Sequence, residues 1–151
     1  MDKIFFYKVA EQYGEFSNFA PYGFYIDNKY WKTAEHYFQA KKFLIPELQE
    51  NIRNIVSPMK AALEGRNRNN PLRADWELVK DDIMRLAVLE KFKQNPEIAK
   101  LLISTGEKLI FEHTSNDFYW GDGLGRGKNM LGIILMETRE IIKSMHKLKK
   151  L

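Results

Sequence analysis

The chain has 151 residues, 44% hydrophobic and 13% aromatic, which is the usual size of one domain with a sizeable core. Its 24 Lys and Arg against 20 Asp and Glu leave a net charge of +4, a mild tilt toward anionic partners that excludes the dense basic stripe of a dedicated nucleic-acid binder. The absence of cysteine excludes disulfides, thiolate nucleophiles and cysteine metal sites, and no apolar run approaches a signal peptide or a membrane span, so a cytoplasmic protein is expected.

The opening IFFYKV reads as a strand, and GFYI and KYW flank Asp27-Asn28-Lys29 as a hairpin. TAEHYFQAKKFL (33–44) is a helix with Thr33 as N-cap and Pro46 beyond its end. PELQENIRNI and the segment opened by Ser57-Pro58 each begin with a proline suited to the first helical turn. ADWELVKDDIMRLAVLEKFKQ (74–94) is a long amphipathic helix capped by Asp75, with Val79, Ile83, Leu86 and Phe92 along its apolar side. PEIAKLLIS forms a shorter helix, GEKLIFEHT (106–114) a strand, and 129–147 the closing helix. The fold class expected is α+β: one compact, mostly helical domain over 1–151 with a few short strands and no repeat or linker.

Function is most legible between Asn116 and Asn129, NDFYWGDGLGRGKN, where four of the nine glycines fall at 121, 123, 125 and 127. Glycine lets backbone amides approach a ligand closely and reach positive φ. With Asp117, Tyr119 and Trp120 on one flank and Arg126, Lys128 and Asn129 on the other, the run suits a phosphorylated sugar or nucleotide, leading into a helix N-terminus that favours anions. The spacing is one residue short of a Walker loop and lacks its hydroxyl, and no G-x-G-x-x-G is present. A flexible glycine connector is the alternative.

Helical spacing aligns Glu35, Phe38, Gln39 and Lys42, so Glu35 projects from an aromatic surface and can stabilise a cation; an exposed first-turn glutamate would carry the same pattern. Lys80 recurs with Trp76, Met84, Ala87 and Lys91 beside an apolar face, either as a desolvated amine or as a snorkelling lysine. Arg66, Arg68, Arg73 and Trp76 in RNRNNPLRADW suit a phosphate clamp beside a stacking ring, or a solvated loop. In FSNFA (16–20), Phe16, Ser17, Asn18 and Phe19 set polar groups between rings, as in a heterocycle pocket or a core turn. Three scattered histidines and no H-E-x-x-H give no metal site, no cofactor is expected, and no G-x-S-x-G elbow is present.

Taken in order and at their intervals, FSNFA at 16, WKTAEHYFQAKKF at 31, SPMKAA at 57, RADWELVKDDIM at 73 and EHTSNDFYWGDGLGRGKNMLGIILMETR at 112 resemble the YbiA/NADAR family of N-glycosidases. The resemblance runs from about Phe16 to Arg139 and implies a compact, largely helical α+β fold. It also implies ribosides whose glycosidic nitrogen is an exocyclic amine, among them phosphorylated ribosylaminopyrimidine intermediates of riboflavin biosynthesis and ADP-ribose attached to guanine, including in DNA. It places the family's functional carboxylate on Glu35, with Trp31 as a ring-stacking wall, its lysine on Lys80, and its N-D-x-Y/F-W-G-D-G positions on Asp117 and Trp120, closed by Asn129. Hydrolysis would then follow one of two routes, cation stabilisation by Glu35 with Asp117 activating water, or attack by Lys80 on an opened sugar to form a Schiff base. By residue type, Gly121, Gly123, Gly127, Arg66 and Lys128 would hold phosphate while Trp31, Trp120 and Phe19 enclose base or sugar. The alternative function is a non-catalytic module that binds ADP-ribose or a related nucleotide.

Overall fold

The computed structural model describes residues 2–149. β1 (Lys3–Phe6) buries Ile4 and Phe6 on one face. The strand ends before Tyr7, Lys8 and Val9, which leave the pairing to line a cavity. β2 (Phe24–Ile26) and β3 (Lys29–Trp31) form the hairpin, in which Ile26 pairs with Lys29. Its loop is therefore two residues, Asp27 and Asn28, both at positive φ (53° and 63°), the geometry that matches strand twist and that Asp and Asn tolerate. Lys29, expected in the turn, belongs to the strand.

Helices follow in chain order. α1 (Ala34–Ala40) is capped by Thr33 and shorter than 33–44, because Lys41 already caps it. α2 (Pro46–Arg53) and α3 (Pro58–Gly65) open on their prolines, and Ser57 caps α3 by accepting from the Lys60 amide. α4 (Trp76–Gln94) is not capped by the Asp75 side chain, whose carboxylate is held instead by Arg73 at 2.7 and 3.2 Å. α5 (Pro96–Ser104) then leads to β4 (Leu109–Glu112).

β4 pairs in parallel with β1, Ile4 opposite Ile110 and Phe6 opposite Glu112, so segments more than a hundred residues apart share one small sheet. α6 (Met130–Lys149) crosses it. Gly132 makes that crossing possible, since a Cβ there would strike the Ile110 carbonyl and the Asn129 side chain.

Two apolar clusters form the interior, one around Phe16, Phe92, Leu102 and Ile134, the other around Phe24, Trp31, Tyr37 and Phe43. α4 lies between them: Met84, Val88 and Phe92 enter the first and Ala87 the second, with Ile83 packed against both. Serving two clusters spreads the buried positions of α4 around its circumference, so Leu86, expected in the core, is 40% exposed while Lys91 is 1% exposed. No helix among the described residues is long and apolar enough to cross a membrane.

Candidate active site

A cavity of about 620 Å³ opens between α1, α3, the 16–19 segment and the loop after β4, within the ~300–1,000 Å³ typical of ligand sites. Glu35, Phe38, Gln39 and Lys42 form one wall, since helical spacing puts them on one face. Thr33 fixes where that face begins: its hydroxyl accepts from the His36 amide at 3.1 Å. The next amide back, of Glu35, donates to the Asn18 carbonyl at 3.1 Å, which draws Ser17, Asn18 and Phe19 against the helix. Asn18 and Gln39 line this space, while Asn18 Oδ1 and Gln39 Oε1 are themselves buried without a protein partner, the latter packed toward Gly65, and buried acceptors of this kind are seldom left unpaired without a reason.

Charge is distributed unevenly. Lys42 and Arg66 supply cations on the α1 and α3 side, and Lys8 adds one after β1. The Lys42 ammonium lies 5.7 Å from the Phe38 ring centre and 5.9 Å from that of Trp76. Burial lowers its pKa to about 8, with repulsion from Arg68 and Arg66 adding to the effect and Glu35 opposing it. Glu35 is buried beside these cations: loss of water pushes its carboxyl above the ordinary range, while the Gln39 hydrogen bond (3.2 Å) and the charges of Lys42 and Arg66 pull it back. Across the cavity lie Glu112 and Asp117. Asp117 Oδ1 accepts from the amides of Tyr119 (2.9 Å) and Trp120 (2.8 Å), a local turn that presents the Trp120 ring to the cavity. Burial raises the Glu112 carboxyl to about 7, and the carboxylates of Asp117, Glu35 and Asp122 add to the rise.

Of the residues expected from sequence, Glu35, Asp117, Ser17, Asn18, Phe19, Arg66 and Trp120 come together here. The others lie elsewhere. Phe16 is in the core against Phe6 and Phe92. Trp31 packs edge-on against Tyr37 in the second cluster, 5.0 Å between ring centres. Trp76 stands behind the cavity wall, 5.0 Å from Phe38. Lys80 does not line the cavity: its ammonium donates to Glu77 at 2.7 Å and sits 4.0 Å from the Tyr119 ring centre, with Lys128 over the same ring at 5.3 Å.

The glycine loop folds on itself. The Asp122 carbonyl accepts from the amides of Gly125 and Gly127, and the Gly121 carbonyl from Asn129. Gly123 stands at φ 52° with no room for a Cβ beside the Phe118 ring, and Gly127 lies against Gly121 and Asp122. The first amides of α6 donate to the carbonyls of Tyr119 and Trp120, which removes the free donors a phosphate would need. Asn129, at φ 55°, spends its side chain on β4, donating to the Ile110 carbonyl at 2.8 Å and accepting from the Glu112 amide at 3.0 Å.

Glu112, Thr114 and Asn116 also line the cavity, though spacing does not mark them, and Gln39 and Lys42 join them as helix neighbours of Glu35. Their alignment with Glu35 was the available signal. Glu112 had none, because a carboxylate at a strand end is indistinguishable from a solvated one.

A cavity that gathers several carboxyl groups beside cations, in an α+β fold, holds the kind of acid pair that cleavage of a bond at a sugar carbon uses. The chain belongs to the NADAR family, whose NADAR domain model matches residues 5–143. It is 52% identical to N-glycosidase YbiA of Escherichia coli K12 over 138 residues, 91% of this chain and 86% of that one. The NMR structure of that protein superposes with a TM-score of 0.89 at 49% identity, covering 97% of this chain and 88% of the other. Identity is 44% to N-glycosidase Npun_R5314 of Nostoc punctiforme, over 94% of each chain. Riboflavin biosynthesis protein VVA0006 of Vibrio vulnificus is 38% identical over 91% of this chain and 38% of its own greater length. The protein is thus an enzyme, an N-glycosyl hydrolase.

Proposed function

We propose that the cavity hydrolyses the bond between ribose and an exocyclic amine in a phosphorylated riboside. The observation that carries this reading is the opposition of Lys42 and Arg66 to Glu112 and Asp117, with Glu35 between them in charge contact with both sides. The cationic end suits the sugar phosphate, which places C1′ near Glu35 and the base against Phe19, Phe38 and Trp120. As the C1′–N bond stretches, positive charge grows on the sugar, and a carboxylate at Glu35 stabilises it where little water competes. Asp117, with Oδ1 anchored to two amides, orients the attacking water. The Asn18 and Gln39 side chains, which line the cavity, are the amides nearest to hand for ribose hydroxyls.

The riboflavin-biosynthesis name of the Vibrio relative supports a ribosylaminopyrimidine phosphate as substrate. ADP-ribose attached to guanine shares the same ribose–amine bond and is the second substrate to test. The experiment offers purified protein a ribosylaminopyrimidine 5′-phosphate and, separately, an oligonucleotide bearing ADP-ribosylated guanine, and measures release of base or sugar. Release from one of them, reduced about 100-fold or more by Glu35→Gln with the fold intact, is the expected result. Binding of ADP-ribose with no turnover of either would mean a recognition module, and a full rate in Glu35→Gln would remove Glu35 from the mechanism.

A further inference from the structure

Four carboxyl groups lie in or beside the molecule's cavity, and three of them accept hydrogen bonds from the protein. Glu35 accepts from Gln39. Asp117 accepts from two backbone amides. Asp122 accepts from the amides of Thr114 (3.1 Å) and Leu124 (3.0 Å) and pairs with His113 at 2.8 Å. The fourth, Glu112, lines the cavity, yet its carboxyl makes no hydrogen bond among the described residues. Its backbone, in contrast, is held on every side. The amide is bound by Asn129, the carbonyl accepts from Asp122 at 2.7 Å, and the residue pairs with Phe6 across the sheet. A side chain carried on so rigid a mount and left without a partner is preorganised for something that enters the cavity.

Cleavage of a bond to an exocyclic amine poses a need that the other carboxyls do not meet. An amine expelled with the bonding pair and no proton would leave as a strongly basic anion, so its nitrogen must be protonated as the bond breaks. We propose that Glu112 is the general acid of this glycosidase, its carboxyl giving a proton to the departing nitrogen. The proposal rests on the hydrolase reading above. The C1′–N bond breaks with its electron pair going to nitrogen, which takes the Glu112 proton and leaves as the neutral amine. Water then adds its oxygen to C1′, and the proton it loses returns to the Glu112 carboxylate, restoring the enzyme.

The electrostatic setting agrees. The charges that act on Glu112 come from Asp117 and Asp122 in the following loop and Glu35 on α1, all negative, and burial acts in the same direction. Tyr7 and Lys8 after β1, and Lys42 and Arg66 beyond α1 and α3, face the cavity too, and His113 next to Glu112 is turned to Asp122. With a value of about 7, Glu112 keeps its proton through much of the neutral range, whereas an exposed glutamate would have lost it. Because the acid form is the active one, the contribution of Glu112 is present below that value and lost as pH rises through it, which makes it the alkaline limb of the profile.

The test compares wild type, Glu112→Gln and Glu112→Asp on two substrates. One is a ribosylaminopyrimidine 5′-phosphate. The other is ribose 5-phosphate carrying 4-nitrophenolate at C1′, which departs as the anion without a proton. Glu112→Gln should lose about 100-fold or more in kcat on the amine substrate, the usual contribution of a positioned acid, and stay within about threefold of wild type on the nitrophenolate. The alkaline limb of the wild-type kcat/KM profile should disappear in Glu112→Gln and persist in Glu112→Asp at a lower rate. Equal losses on both substrates, with a melting temperature near wild type, would overturn the assignment, and so would an amine-cleavage rate unaffected by Glu112→Gln. Should Glu112→Gln fail to fold, loss of the alkaline limb in Glu112→Asp would overturn it equally. If wild type cleaves neither substrate, the hydrolase reading itself fails and this one with it.

Discussion

Asn129→Ala distinguishes a ligand contact from a strut. In the structure Asn129 is 5% exposed and bridges the Ile110 carbonyl and the Glu112 amide at 2.8 and 3.0 Å. Truncation leaves both backbone groups unpaired in a buried setting, at about 1–3 kcal/mol each. Alanine at φ 55° adds left-handed strain of about 1 kcal/mol that asparagine tolerates better. The sum is about 3–7 kcal/mol. For a chain of this size, about 2–4 °C of melting temperature goes with each kcal/mol, so a fall of about 15 °C is expected. Asn129→Gly, free of the strain, should recover about 1 kcal/mol of the loss. Asn129→Asp should be no better than alanine, because it replaces the donor to Ile110 with a second acceptor. Urea unfolding followed by tryptophan fluorescence, with a thermal melt, measures all three. An Asn129→Ala protein within about 1 kcal/mol of wild type but with a raised KM would refute the strut and make Asn129 a substrate contact.

Lys91 donates to the Ser17 carbonyl at 2.8 Å from a fully buried position, and burial brings its pKa down to about 7. Between that value and the ~10.4 of an unfolded lysine, the unfolded chain carries a proton that the folded one lacks, so this group's contribution makes stability rise with pH. Lys91→Met should therefore be more stable than wild type at pH 7, by about 2 kcal/mol after the lost hydrogen bond, with the gap closing toward pH 10 in urea titrations; a constant gap would refute it. Lys80→Met should keep turnover within about threefold while Lys42→Met loses at least ~30-fold in kcat/KM, since of these two lysines Lys42 alone lines the cavity. Borohydride trapping of sugar on Lys80 during turnover would reverse that assignment.

What the sequence determined by itself was local. The Thr33 cap, the prolines opening α2 and α3, and a hairpin turn at Asp27-Asn28 (though not its two-residue length) were legible, because capping and turn chemistry act over three or four residues. The alignment of Glu35, Phe38, Gln39 and Lys42 was legible for the same reason, as a property of one helix. Spacing defines a face, however, and says nothing of what covers it. Tertiary structure alone made Trp31 a core residue and Phe38 a cavity wall, paired the distant strands β1 and β4, turned Lys80 to Glu77 and Tyr119, and buried Lys91. It also decided the purpose of the glycine run, whose amides close on the carbonyls of its own loop. Glycine permits close approach by any neighbour, ligand or backbone, and the sequence holds no record of which arrives.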